Sequence, residues 1–318
     1  MYNFYLGIPI MAPRYLIIGA SGFIGARLLS HLGPDNAVAT YCNRPVAGGV
    51  YFAAVNMRLS DTVLKQHNRL THAFVLHGIT NIDACARDPQ GTARVNVVSV
   101  CAVIDDLIER KIVPVFASSD AVFDGSRGMW TEEDPVNPIL TYGRHKAQVE
   151  RYLQEKSSPW LVARLAKVAG TVIGHVDILG GWMDKLESGA EIRCARDQVF
   201  SPLGVDDAVE AMLSLAEGGH SGLFHVCGPE PVARLQLLQM LIEEVGKYRE
   251  QRARIIPCSI RDFDFDEPRP FDISMSPRKL YAILGRSLDD PREICRKAVS
   301  ARYGGRSVPR GAGHANAQ

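Results

Sequence analysis

Gly19-Ala20-Ser21-Gly22-Phe23-Ile24-Gly25 decides the fold. The heptapeptide follows a strand-like run from Tyr15 to Gly19 and opens an apolar helical pattern from Phe23 to Leu32, so its glycines fall between a strand and a helix. In that setting the glycines serve three different purposes. One takes backbone angles closed to other residues, one lets a pyrophosphate approach the main chain, and one lets helix pack closely on strand. The N–H groups that open the helix then face an anion. Gly19, Ser21, Gly22, Phe23, Ile24 and Gly25 are therefore the expected phosphate cradle of a bound dinucleotide.

The pattern repeats outward from that turn. Strand-like runs recur at Ala37 to Cys42, Ala73 to His77 and Val113 to Ala117, with a helical pattern from Thr92 to Arg110 among them. Right-handed crossovers join such units into an α/β fold with a doubly wound, Rossmann-type parallel sheet buried on both faces. Past Gly170, glycines and prolines break the chain into shorter pieces, with a helical stretch inside Glu230 to Val245, which implies a smaller α/β substrate-binding lobe. The expected division is 11–171 plus 205–227 for the cofactor domain and 172–204 plus 228–300 for the lobe. Residues 1–10 read as an extension, with Met11 an alternative start, and 302–318 as a flexible tail.

Composition excludes several classes. A net charge of +1 with 22% charged residues leaves no basic footprint for nucleic acid. No apolar run is long enough to span a membrane. The seven cysteines are scattered, which fits a reducing cytoplasm and neither a disulfide framework nor a thiolate metal site. His72, His77 and His145 lack metal-ligand spacing, and the acidic run Asp262 to Glu267 lacks a calcium-loop register, so no metal is expected. That run reads as a solvated loop near the cleft.

At the end of the second strand stand Asn43 and Arg44, where a site for NAD offers a carboxylate to the ribose. A guanidinium there pairs with a 2′-phosphate, so NADP(H) is expected ahead of NAD(H), the competing reading being a solvated surface arginine. His77 and Gly78 end a strand near the cofactor.

Tyr142 and Lys146 lie four residues apart and share a helix face. Ser118 and Ser119 follow a buried strand, at the carboxyl edge where ligands of such sheets bind. Either hydroxyl suits the site, and Ser119 is preferred. A phenol has an ordinary pKa of about 10, and bringing it near neutral takes roughly 4 kcal/mol of differential stabilisation, which Lys146 and an oxidised nicotinamide are expected to supply. Tyr142 then donates a proton to a carbonyl oxygen that Ser119 hydrogen-bonds, with Asn96 supporting Lys146 through a proton relay.

These residues carry a resemblance. With Thr80 to Asp83, Asp88-Pro89, the Ser118 to Gly125 block, Arg164, Val205-Asp206-Asp207 and Arg269-Pro270 to Ser274, the chain resembles the extended short-chain dehydrogenases, and within them the dTDP-4-dehydrorhamnose reductase group. The resemblance implies reduction of a ketone on a nucleotide-linked sugar, with Thr80, Asp120, Lys167 and Arg269 at the substrate. Arg269 reads either as a diphosphate ligand or as a structural ion pair. The sequence departs from the rhamnose-forming enzymes at Lys167, which stands where they carry an aromatic residue; it is either a surface lysine or the mark of an anionic or otherwise different carbonyl substrate. The resemblance leaves open a sugar-nucleotide epimerase or dehydratase with a tightly held cofactor, and a non-catalytic NADP-binding subunit like the methionine adenosyltransferase β subunit. Homodimerisation through helices beside Tyr142 is common in the superfamily.

Overall fold

The structure is a computed structural model describing residues 14–304. Strand β1 (Arg14–Ile18) lies inside a seven-stranded parallel sheet with β2 (Ala37–Tyr41), β3 (Val50–Tyr51), β4 (Leu70–Val75), β5 (Val113–Ser119), β6 (Leu161–Leu165) and an edge strand, Gly222–Val226. The order from that edge is Gly222–Val226, β6, β5, β4, β1, β2, β3, so the chain winds outward in both directions from β1. Alternation along β1 builds two cores. Tyr15 and Ile17 pack with Leu28 of helix Phe23–Leu32 and with Val209 and Met212 of helix Val205–Glu217. Leu16 and Ile18 pack on the opposite face with Ile104 and Leu107 of helix Ser99–Glu109 and with Val149 and Leu153 of helix Thr141–Gln154.

A third cluster, including Trp182, Leu186, Ile192, Leu237, Leu241 and Val299, gathers helices Ile178–Ser188, Arg234–Gly246 and Pro291–Tyr303 beyond the carboxyl edge of the sheet. Between that layer and the strand ends lies a cleft of about 560 Å³.

Two expectations change. The helix foreseen from Thr92 to Arg110 starts at Pro89 and carries one π turn, Arg94–Val98, before continuing as Ser99–Glu109. Arg302 and Tyr303, assigned to the flexible tail, instead end a capped helix and tie down the lobe: Arg302 donates to Asp184 and Glu187, and Tyr303 to Glu187. The expected extension 1–10 and the rest of the tail, from 305 on, lie outside the described residues.

Candidate active site

Gly19 has φ 91°, a left-handed angle, and a side chain there would press on the backbone nitrogen of His77 at 2.9 Å. A Cβ at Gly25 would come within 2.3 Å of the Gly19 carbonyl, so glycine lets the helix start directly on the turn. Gly22 is the N-cap and no side chain caps this helix, which leaves its positive end toward the cleft that Gly19, Gly22, Phe23 and Ile24 line. The cradle thus fits a dinucleotide pyrophosphate. Arg44 donates from Nη2 to the Ser21 carbonyl at 2.6 Å and borders a second hollow beside the turn; Asn43 next to it is exposed. Across that hollow stands His175, edge-on to the Phe23 ring at 6.0 Å.

The strand end at His77 and Gly78 divides. Gly78 lines the cleft, whereas the His77 imidazole turns inward, its Nε2 3.1 Å from Ser99 Oγ and its Nδ1 buried without a partner among the described residues. Burial, with Lys146 adding, lowers the His77 pKa to about 4. Only its backbone borders the phosphate turn.

The two serines, the last residues of β5, both line the cleft and are separated by their partners. Ser118 Oγ donates to Glu150, which is held by Arg164 Nη2 at 2.7 Å in a fully buried pair. Ser119 lines the cleft, donates to Asp120 Oδ1 at 2.8 Å and lies near enough to Tyr142 to favour its ionised form. Tyr142 and Lys146 line the same wall; Lys146 Nζ donates to the Ala117 carbonyl at 2.6 Å and sits 5.7 Å from the Tyr142 ring centre.

The electrostatics of the phenol run opposite to expectation. Burial raises the Tyr142 pKa above its ordinary value, Asp120 and Cys85 push the same way, and only Ser119 opposes them. Burial is the largest of these effects. Burial also lowers Lys146 to about 8, against Glu150 and Cys85, and raises Asp120 to about 6, against Ser119 and Lys167. At neutral pH the phenol therefore keeps the proton that a carbonyl oxygen would accept.

Asn96 does not act on Lys146 by direct contact. On the π turn its side chain clasps Ile79, accepting from N at 2.7 Å and donating to O at 3.0 Å, which holds the loop leading to Thr80 at the cleft. Thr80, Asp120, Lys167 and Arg269 all line the cleft. Arg269 is nevertheless paired with Asp83 at 2.6 Å and lies over the Phe265 ring, so its ion-pair reading holds even as it borders the cavity. Lys167 lines the cleft and remains exposed, and desolvation lowers its pKa, with Arg234 adding to the effect.

Several residues had no signal in the sequence. Glu267, from the acidic run, is no solvated loop residue: it accepts from Thr141 N at 2.8 Å and Thr141 Oγ1 at 2.7 Å, capping the helix that carries Tyr142. Arg193 and Arg234 line the cleft from the lobe, and His175 comes near Phe23 from a loop. Each depends on a long-range contact, although the helical stretch beginning near Glu230 was the place to look for Arg234.

A doubly wound sheet with a glycine phosphate turn, and Ser119, Tyr142 and Lys146 at its carboxyl edge, defines an NAD(P)-dependent oxidoreductase of the extended short-chain dehydrogenase type. The chain belongs to the family described as RmlD substrate binding domain, whose sequence model matches residues 13–303. It is 30% identical over 266 residues, covering 80% of the chain and 86% of the relative, to the probable low-salt glycan biosynthesis reductase Agl14 of Haloferax volcanii. To the dTDP-4-dehydrorhamnose reductase of Mycolicibacterium smegmatis it is 27% identical, covering 93% of this chain and 88% of that one. A dTDP-4-dehydrorhamnose reductase from Bacillus anthracis, solved in complex with NADP, superimposes with a TM-score of 0.81 at 18% identity, covering 91% of this chain and 99% of the other. Among the described residues no helix is long and apolar enough to cross a membrane, and no group of three His, Cys, Asp or Glu side chains gathers as a metal site.

Proposed function

We propose that the protein is an NADPH-dependent reductase of a keto group on a nucleotide-linked sugar. The observation that carries the reading is that Ser119 and Tyr142, with Lys146 one helical turn further on, line the same cleft as the phosphate turn. The reductases among the relatives support the same chemistry. When bound, the dinucleotide supplies the hydride.

The chain's own groups do the rest. Ser119 and Tyr142 hold the ketone oxygen, and the buried, protonated phenol transfers its proton to that oxygen as it becomes an alkoxide. Lys146, anchored on the Ala117 carbonyl, places a positive charge beside the phenolate that remains. Arg44 carries the preference for the 2′-phosphorylated cofactor.

The test is an NADPH-consumption screen over nucleotide-linked keto sugars, with Tyr142→Phe as control. Stoichiometric NADPH loss, reduced by a factor on the order of 10² to 10⁴ in the control, is expected. Product formation without net cofactor loss would identify an epimerase or dehydratase, and wild-type function in Tyr142→Phe a non-catalytic subunit.

A further inference from the structure

Five cations line the cleft, Lys146, Lys167, Arg193, Arg234 and Arg269, against one carboxylate, Asp120. Two of them are accounted for: Lys146 stands beside the phenol, and Arg269 is paired with Asp83. Arg193 lies over the Phe263 ring, which stacks on Phe265 at 5.4 Å, so this end of the cleft offers aromatic faces and guanidinium groups suited to a nucleoside diphosphate.

Lys167 and Arg234 remain. Neither forms an ion pair among the described residues. The Arg234 guanidinium rests on the Trp182 ring at 5.7 Å and donates from Nη1 to the neutral Gln198 Oε1 at 3.1 Å. Arg234 is also the first residue of helix Arg234–Gly246, where the helix dipole disfavours a cation. The carboxylates near Lys167 are committed elsewhere: Asp120 accepts from Ser119, and Asp177 accepts from the Gly170 and Gly180 nitrogens, both at 2.8 Å. Desolvation lowers the Lys167 pKa and the like charge of Arg234 adds to it, against Asp120 and Asp177. Two like charges that line one cleft without an ion-pair partner make it a favourable place for an anion.

Position selects the anion. Leu165 pairs in register with Ser119, so Lys167, two residues further on, lines the cleft at its reacting end, and Arg234 lines the same cleft from the lobe. We infer that Lys167 and Arg234 bind a carboxylate carried by the sugar itself, so that the substrate class is a nucleotide-linked keto sugar acid. This rests on the nucleotide-sugar reading above. It also gives the departure at Lys167 a chemical reason, because a cation in place of an aromatic ring exchanges an apolar sugar face for a charged one.

Calorimetric titration of the NADP⁺-saturated protein tests it, with UDP-glucose, UDP-glucuronate, dTDP-glucose, dTDP-glucuronate and the bare nucleoside diphosphates as probes. The glucuronate form should bind roughly tenfold or more tightly than the glucose form of the same nucleotide. Lys167→Met and Arg234→Met should each erode that ratio while leaving affinity for the bare diphosphate unchanged, and retained NADPH binding shows that each variant is folded. Equal affinity for the glucose and glucuronate forms overturns the inference and leaves the nucleotide-sugar reading standing. So does loss of bare-diphosphate affinity in the variants, which would assign the cations to the diphosphate. No binding of any probe by a protein that binds NADPH overturns both readings.

Discussion

Arg44 reaches from beyond the second strand to the Ser21 carbonyl, so its guanidinium overhangs the turn proposed to hold the adenosine end of a dinucleotide. A 2′-phosphate there gains a charge-assisted partner that a hydroxyl does not need. Arg44→Ala is accordingly expected to weaken NADPH binding by roughly tenfold to a hundredfold with little change for NADH. Fluorescence titration of the two cofactors reads the ratio, and an unchanged ratio would remove Arg44 from the site. Residue-scale legibility was uneven. Tyr142, Lys146 and the glycine turn stood out because their spacing is local, and Ser119 could be named but not separated from Ser118. That separation depends on the buried Glu150 and Arg164 pair, which claims Ser118 from a helix and a neighbouring strand. The direction of the Tyr142 shift was out of reach for the same reason: it is set by burial, a property of the assembled site.

At the scale of elements, the helix Thr141–Gln154 carries the reacting phenol and ammonium, and its first turn is held from a distant segment. Glu267 caps Thr141 and accepts from Arg144 at 2.7 Å, placing a negative charge at the positive end of the helix. Glu267→Ala should lower unfolding free energy by about 1 kcal/mol, in the range of a lost cap, and lower kcat more than it raises KM. Denaturant unfolding and steady-state kinetics check both; unaltered kcat would show that the cap does not position Tyr142. Helix Phe23–Leu32 was legible to the residue, since its glycine turn and apolar stripe are contiguous. The π turn was not. Its extra residue lets Asn96 reach Ile79, 17 positions earlier, and nothing in the local pattern from Thr92 onward announces that partner.

For the whole molecule, the buried titrating groups fix how stability varies with pH. Burial depresses His77 to about 4 and His225 to about 3, with Arg164 also lowering the latter, so below their ordinary value of about 6.5 the unfolded chain takes up protons that the native state refuses. Both groups thus remove stability as pH falls from about 6.5 toward 4. Asp120, raised to about 6, acts in the opposite sense, because the native state binds its proton first and gains stability on acidification between about 6 and 3.8. His72, His145 and His175 are also lowered by burial, and Glu132 and Asp207 are raised by it like Asp120, so five histidines against three carboxyls leave a net loss. The urea midpoint is therefore expected to fall between pH 6.5 and 4.5, and to fall less steeply in His77→Asn; a midpoint that rises over this interval would contradict the burial assigned to these rings.

The function proposed for the arrangement of sheet, turn and helix is direct hydride delivery to a carbonyl protonated by Tyr142. Its most direct measurement is NMR of the product formed from a nucleotide-linked keto sugar and NADPH deuterated at the transferring position of the nicotinamide. Deuterium is expected on the carbon that bears the new hydroxyl, one equivalent per cofactor oxidised, and none from Tyr142→Phe on the same timescale. Product without deuterium at that carbon, or full transfer in the phenylalanine variant, would contradict direct delivery to a carbonyl protonated by Tyr142.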